Sequence, residues 1–287
     1  MTAVFKHEMR LMWNGLTAYV YGAFMLVAVA IYMMYYNLTA GYANFEYAMA
    51  GAAFALIITV PIITMRIIAE EKKQKTDQLL YSLPVSTAGV VTGKYLAALV
   101  TASVPLVLVC VYPVILSEFG EVYLPTSYGT IFGFILLVGA LMSMGVFVSS
   151  ITESQAMAAG ICFAVMIFNY YMVTLAEYVA TSAEGSLVAI LIIEAALVLI
   201  IRHMTGNTML ACGAGGIALA ATVIAFIING SAFEGLLPSI LESISVYERF
   251  YVFVNGIFDY TGVIYFISVI GFFLFLTVQS MEKRRYN

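Results

Sequence analysis

The chain has 287 residues, of which 63% are apolar and 10% are charged, and its formal net charge is −4. Soluble domains average about 45–50% apolar and about 25% charged residues, whereas this chain has a mean hydropathy of +1.01. The composition excludes a soluble globular protein, a disordered chain and a nucleic-acid binder. It predicts an all-α polytopic membrane protein whose apolar helices contact the lipid bilayer.

An amphipathic helix is predicted first, over residues 1–15. Phe5 and Met9 recur at helical spacing beside the charged side chains of Lys6 and Arg10. A helix with one apolar and one charged face lies in the membrane interface rather than across it.

Seven apolar runs follow that are long enough to cross a hydrocarbon core of about 30 Å, which requires about 20 residues of helix. They are residues 16–37, 47–68, 95–116, 128–151, 156–176, 209–228 and 261–280. An eighth run, residues 187–201, has 15 residues and crosses only if it borrows from residues 178–186. Alternatively, residues 187–201 and 209–228 form a re-entrant hairpin inserted among six spans.

The basic residues orient these spans, because Lys and Arg favour the cytoplasmic side. With eight crossings and the N-terminus inside, eleven of the 12 Lys and Arg residues fall in cytoplasmic segments, and Arg249 falls outside. We therefore expect about eight spans, or six plus an inserted hairpin, in a single transmembrane domain over residues 1–287. We expect this domain to lie in the cell membrane with both termini cytoplasmic. Residues 230–260 form an extracytoplasmic segment whose apolar side chains recur at the 3–4 spacing of an amphipathic helix.

Few side chains offer catalytic or metal chemistry. His7 and His203 are too few for a local metal site, so we expect no metal and no catalytic residue. The three cysteines lie inside apolar runs and are interpreted as small hydrophobic residues; they are Cys110, Cys162 and Cys212.

The chain also lacks the motif by which ATPases hold phosphate. The nearest stretch has three residues between Gly89 and Gly93 and a Tyr after Lys94, whereas the motif requires four residues and a Ser or Thr. We expect no cofactor bound by this chain, so any ATP hydrolysis belongs to another chain.

Two carboxylates are candidate functional residues. Glu194 is predicted at membrane depth, where one interpretation is a proton or cation site. The alternative is a carboxyl without such a role, which is protonated, bonded to a neighbouring helix or near the surface of a short tilted helix. Asp259 begins the last apolar run, where it either caps the helix or belongs to an extracytoplasmic gate. Small residues of the fourth run, such as Gly145 and Ser149, are interpreted as sites of close helix packing.

The longest charged stretch is the cytoplasmic loop of residues 69–94, between the second and third spans. Charges fill its first half, Leu79, Leu80 and Leu83 supply an apolar stripe, and Pro84 ends the helix. Such a helix is either a solvated charged face or a docking element whose leucines enter a groove of a soluble partner.

This loop resembles the signature of ABC type-2 exporter permeases, in the branch of the gliding-motility permease GldF and the copper-site-maturation permease NosY. The matching residues are Glu70, Glu71, Thr76, Leu79, Leu80, Ser82, Pro84, Val85, Ser86, Gly93, Lys94, Tyr95 and Leu96. Lys75 stands where the family usually has glycine, so a more helical turn is expected before Thr76. Residues 5–10 with 18–20, and residues 256–260, resemble the two ends of the family, whereas residues 180–245 depart from its six-span pattern.

The resemblance implies the transmembrane subunit of an ATP-driven exporter that works by alternating access. A separate ABC ATPase would bind ATP and Mg, a second permease copy, identical or related, would pair with this chain, and an extracytoplasmic accessory membrane protein would contact residues 236–254. The residues implied to transmit the ATPase movement are Glu70, Glu71, Thr76, Leu79, Leu80, Leu83 and Pro84. Two alternatives remain: an ion-coupled carrier or channel that uses Glu194, and a membrane-assembly subunit without transport.

Overall fold

The computed structural model describes the backbone of residues 1–76, 85–179, 181–205 and 208–286. Within these ranges it does not describe the side chains of residues 196–197, 199–205, 208–212, 214 and 286. All regular structure in these ranges is helical, which confirms the predicted all-α class. Two compact units are present: Met1–Tyr170 together with Val246–Asn287, and Tyr171–Ser245.

The helices follow the apolar runs of the sequence closely. In chain order they are α1 (Thr2–Asn14), α2 (Thr17–Met33), α3 (Phe45–Ala52), α4 (Leu56–Thr64), α5 (Ala69–Gln74), α6 (Thr87–Val109), α7 (Tyr112–Ser117), α8 (Leu124–Ile151), α9 (Gln155–Tyr178), α10 (Ala183–Thr205), α11 (Thr208–Ile228), α12 (Leu236–Ile244), α13 (Val246–Val254) and α14 (Tyr260–Tyr286). A π-helical turn, Met34–Thr39, extends α2, and a 3₁₀ turn, Ala53–Ala55, joins α3 to α4.

Six stretches of the described residues are long and apolar enough to cross a membrane. They are Thr17–Thr39, Phe45–Gln74, Thr87–Ser117, Leu124–Ile151, Gln155–Tyr178 and Tyr260–Arg285. Gly215–Ile228 and Gly230–Ile244 meet at a bend of 116° and would make a seventh span if they act as one. The described ranges thus contain six candidate spans, or seven with the bent pair, where about eight spans, or six plus an inserted hairpin, were expected. The short run 187–201 lies within the 23-residue helix α10, which begins earlier, at Ala183.

Helix α8 forms the centre of the larger unit and packs against α4, α6, α13 and α14. Glycine allows two of these contacts: a Cβ on Gly133 would lie 2.7 Å from the Phe253 ring, and one on Gly145 would overlap Thr64. Small residues let helix backbones approach closely. These glycines therefore place α8 in the core against α13 and α4.

The larger unit has two chemically different ends. One end, called the α1 end below, contains α1, α5, the start of α6 and the ends of α8 and α14. Its basic residues are Lys6, Arg10, Arg66, Lys72, Lys73, Lys75, Lys94, Lys283, Arg284 and Arg285. Arg249 of α13 lies at the opposite end, with its guanidinium over the ring of Tyr265 of α14. Basic charge is thus concentrated at the α1 end, where the sequence analysis expects the cytoplasm.

Candidate functional site

The side chain of Lys94 lies near the start of α6 and is 1% exposed. Its Nζ atom is 2.6 Å from Glu8 Oε1 and 2.6 Å from Glu71 Oε1, and it donates a hydrogen bond to the Ile67 carbonyl at 3.1 Å. A lysine ammonium has three hydrogens and each finds an acceptor here. One buried cation at the start of the third span therefore binds both α1 and the end of the second span, where α5 lies.

Close packing of α1 on α6 brings Glu8 to Lys94. Gly93 lies under the N-terminus of α1, where an added Cβ would be 3.2 Å from the Met1 carbonyl and 3.3 Å from Val4 Cβ. A side chain at Gly93 would therefore force the N-terminus of α1 to shift by a few tenths of an ångström. Gly93 thus leaves space for α1, and Lys94 supplies the positive charge that binds Glu8 of α1.

Helix α5 is anchored to the end of α8. Ser149 Oγ accepts hydrogen bonds from the backbone N–H groups of Ile68, at 3.2 Å, and Ala69, at 3.0 Å. Lys72, which is buried, donates to the carbonyl of Ser150. The first N–H groups of a helix lack partners within it, so Ser149 caps α5 from a different span. Ser149 therefore does more than permit the close packing expected of it.

The end of α5 differs from the expectation. Lys75 has φ 57° and ψ 20°, a left-handed conformation, and the Thr76 N–H closes the helix with a 3.0 Å bond to the Glu71 carbonyl. The expected more helical turn is therefore wrong, because the backbone keeps the conformation that glycine adopts most readily at helix ends.

The structure separates the two acidic residues that were expected to act together. Glu71 is part of the Lys94 network, whereas Glu70 accepts, among the described residues, only a long 3.4 Å bond from Gln74 Nε2. Thr76 closes the helix end. The other expected coupling residues, Leu79, Leu80, Leu83 and Pro84, lie outside the described residues.

Glu194 lies in the smaller unit, on α10. Thr222 Oγ1 of α11 donates to its Oε1 atom at 2.5 Å. Its Oε2 atom is buried and has no hydrogen-bond partner among the described residues. The carboxyl group therefore links the two helices through one oxygen and leaves the other oxygen unpaired.

Asp259 has the geometry of a helix N-cap at the opposite end of the larger unit. Its carboxylate accepts hydrogen bonds from the N–H groups of Thr261, at 2.9 Å, and Gly262, at 3.0 Å. Hydrogen bonds from the Thr261 side chain and backbone lower the pKa of Asp259 below its usual value, with a smaller contribution from Arg249. The ionised form is the one that caps α14.

Sequence reasoning missed four buried charges among the described residues of the larger unit, one of which is Lys72 on α5. Besides Lys94 and Glu8, Glu46 is 3% exposed at the start of α3, where it accepts hydrogen bonds from Thr126 Oγ1 at 2.6 Å and Ser127 Oγ at 2.8 Å. The available signal was the position of Lys94 inside an apolar stretch, because a charge there needs a partner. Nothing local in the sequence indicates which carboxylate that partner is.

A family model described as ABC-2 family transporter protein matches residues 4–189, which is more than half of the chain. Comparison with curated proteins and with solved structures gives no significant match. The matched stretch includes α1 and the loop of residues 69–94, and hence all three members of the Lys94 network. The chain is therefore a multi-pass membrane protein that belongs to the ABC-2 transporter family, whose members are permease subunits of ABC transporters.

Proposed function

We propose that this chain is the transmembrane subunit of an ATP-driven exporter and that its loop of residues 69–94 receives movement from a separate ABC ATPase. The observation that supports this is the ion-pair network of Lys94 with Glu8 and Glu71. It joins both ends of the loop to each other and to α1. A partner that pulls on the loop therefore acts on three helices together.

The anchorage of α5 extends the path of that movement. Ser149 and Ser150, at the end of α8, hold the start of α5 and Lys72. Ser280 of α14 donates to the same Ser150 carbonyl at 3.2 Å. A displacement of α5 is thus passed to the central span and to the last span, as a rigid-body shift of packed helices requires. Such a shift would change access to a central path and produce alternating access.

The remaining parts of the assembly follow from the family and from the charge distribution. The ATPase subunit binds ATP and Mg, and a second permease copy, identical or related, completes the pathway. The basic α1 end faces the cytoplasm of the cell, with both termini, because basic residues favour that side. We place the chain in the branch of GldF and NosY, where residues 236–254 would contact an extracytoplasmic accessory membrane protein.

The test is purification of the tagged chain from its native membranes in mild detergent. We expect an ATPase subunit, recognised by its phosphate-binding and ABC signature sequences, to co-purify and to hydrolyse ATP faster in the complex than alone. Leu79→Asp and Leu80→Asp should abolish co-purification and stimulation while the permease still inserts. Asn14→Asp is the control, because it adds the same charge at an exposed polar position of the same end. Unchanged co-purification with both loop variants would refute the proposal.

A second candidate function is favoured by the unpaired oxygen of Glu194, which would suit an ion-coupled carrier. Glu194→Gln should then abolish transport in a preparation that contains no ATPase, whereas Thr222→Val should only weaken it. A membrane-assembly role differs from both, because ATP hydrolysis would then respond only to removal of the whole subunit.

A further inference from the structure

A cavity of about 750 Å³ opens at the α1 end, between α1, the end of α4 and the start of α6. Its apolar wall includes Val4, Leu11, Ile63 and Val90. The volume lies within the range of about 300–1,000 Å³ that is typical of small-molecule sites. The cavity is therefore large enough for an amphipathic molecule, and its wall is suited to hydrocarbon.

Some charged side chains of the cavity are paired with one another, and others are available to a ligand. Lys94, Glu8 and Glu71 line the cavity but are bound to one another. Arg66 also lines it, is exposed, and forms no ion pair or hydrogen bond within the described part of the chain. Glu70 lines it too and, within the ranges that the structure describes, has only the long bond from Gln74. One cation and one carboxylate thus remain available to a ligand.

The lining residues predict that the cavity lies at the level of the lipid headgroups. It is lined by Thr17, the first residue of the first span, and by Ile63 and Arg66, which lie where the apolar part of the second span gives way to charged α5. Phosphate and amine groups of lipids occupy this level of a membrane, directly above the hydrocarbon. An acyl chain could follow the apolar wall while the headgroup meets the charged residues.

We propose that the cavity binds a zwitterionic aminophospholipid of the surrounding leaflet. Its phosphate would pair with the Arg66 guanidinium, its ammonium with Glu70, and an acyl chain would lie along Leu11 and Ile63. The two free charges of the site are of opposite sign, as are those of the headgroup. An anionic lipid fits less well, because the cavity carries three carboxylates, Glu8, Glu70 and Glu71, against the charges of Lys94 and Arg66.

Lipid bound here would contact both α1 and the second span. Binding to the folded state raises stability by mass action, so the lipid should also raise the unfolding temperature. This inference requires that the chain lie in a membrane, but it does not require that an ATPase dock on the loop. Its test can therefore fail while the proposed function holds, and the reverse is also true.

The experiment is native mass spectrometry of the full chain, stripped of lipid in detergent and titrated with dioleoylphosphatidylethanolamine or dioleoylphosphatidylglycerol. Wild-type protein should bind one phosphatidylethanolamine in preference to phosphatidylglycerol. Arg66→Ala should weaken that binding about tenfold or more, because a hydrogen bond to a charged group contributes about 1.5–3 kcal/mol. The matched control is Arg10→Ala, which removes an exposed arginine of α1 that does not line the cavity.

A second variant tests the cavity without changing its charge. Ala3 is exposed on α1 and lines the cavity, so Ala3→Trp should fill the space and abolish binding without disturbing buried packing. Loss of binding in Arg66→Ala and Ala3→Trp, with Arg10→Ala unchanged, supports the proposal. Equal binding by all four proteins overturns it, and so does phosphatidylglycerol binding as tight as that of phosphatidylethanolamine.

Discussion

Lys94 Nζ lies 2.6 Å from Glu71 Oε1, and this contact joins the end of the second span to the start of the third. The chain between the two residues is therefore a loop closed at its base. Neither end of the loop can move without the other, and the bond from Lys94 to Glu8 gives α1 the same constraint. Because the two ends of the loop are bonded to each other, a partner that moves the loop would move the ends of both spans.

Replacement of Lys94 should destabilise the protein strongly. Lys94→Met leaves Glu8 and Glu71 facing each other without their shared cation, and removal of one partner from a buried ion pair costs about 3–5 kcal/mol. We expect a lower thermal unfolding temperature in detergent. Lys73→Met is the control, because Lys73 is exposed on α5. An unfolding temperature equal to that of the control would show that the network contributes little to stability.

A triple variant separates the stability of this network from its role in coupling. Lys94→Met combined with Glu8→Leu and Glu71→Gln removes all three charges, and apolar replacement of a whole buried ion pair is often close to neutral in stability. We expect the triple variant to recover much of the stability lost by Lys94→Met and yet to lose stimulation of the ATPase. Recovery of stimulation as well would assign the network a structural role alone.

The glycines of α8 should differ sharply in their tolerance of a methyl group. Gly145→Ala should destabilise the protein by about 1–3 kcal/mol, as overpacking usually does, because the new Cβ overlaps Thr64 of α4. Gly129→Ala on the same helix meets nothing within 4 Å, and a gain of about 0.5–1 kcal/mol is expected there from helix propensity. Chemical unfolding of both variants tests the contrast, and similar effects would contradict the packing described for α8.

The fold could be predicted where length and periodicity carry the information. The helix predicted over residues 1–15 is observed as Thr2–Asn14, and the run 128–151 lies within Leu124–Ile151. Apolar length and amphipathic spacing determine these helices locally. The site could be predicted only in part. Glu8 lies 86 residues from Lys94 in sequence, and Glu71 lies 23 residues away, so only tertiary packing brings them together.

The backbone at Lys75 is a second case in which local reasoning was insufficient. The substitution of lysine for the usual glycine predicted a more helical turn, yet the helix end keeps a left-handed residue. Ser149 and Ser150 fix the beginning of α5, and the Thr76 N–H closes its end. The surrounding contacts therefore determine where the helix stops, and the side chain at Lys75 adapts to that conformation.

Glycine at Lys75 should consequently stabilise the end of α5. A left-handed conformation costs a residue with a Cβ atom about 1–2 kcal/mol relative to glycine, so Lys75→Gly should slow amide hydrogen exchange in Ala69–Gln74. Lys73→Gly is the matched control, because glycine in a helix costs about 1 kcal/mol and should speed the same exchange. If both substitutions speed exchange, the left-handed assignment at Lys75 is wrong.

The cap at Asp259 should make the stability of α14 depend on pH. Its pKa is lowered in the folded state by hydrogen bonds from Thr261, so the ionised carboxylate favours folding. This stabilisation is fully present above the unfolded pKa, near the ordinary value of 3.8, and is lost as the pH falls through the lower folded pKa. Asp259→Ala should therefore lower the unfolding temperature at pH 7, and the difference from wild type should shrink towards pH 3.

Asp259→Asn retains a side-chain acceptor but cannot ionise, so its difference from Asp259→Ala should not change with pH. A difference between wild type and Asp259→Ala that is the same at both pH values would show that charge is not part of the cap.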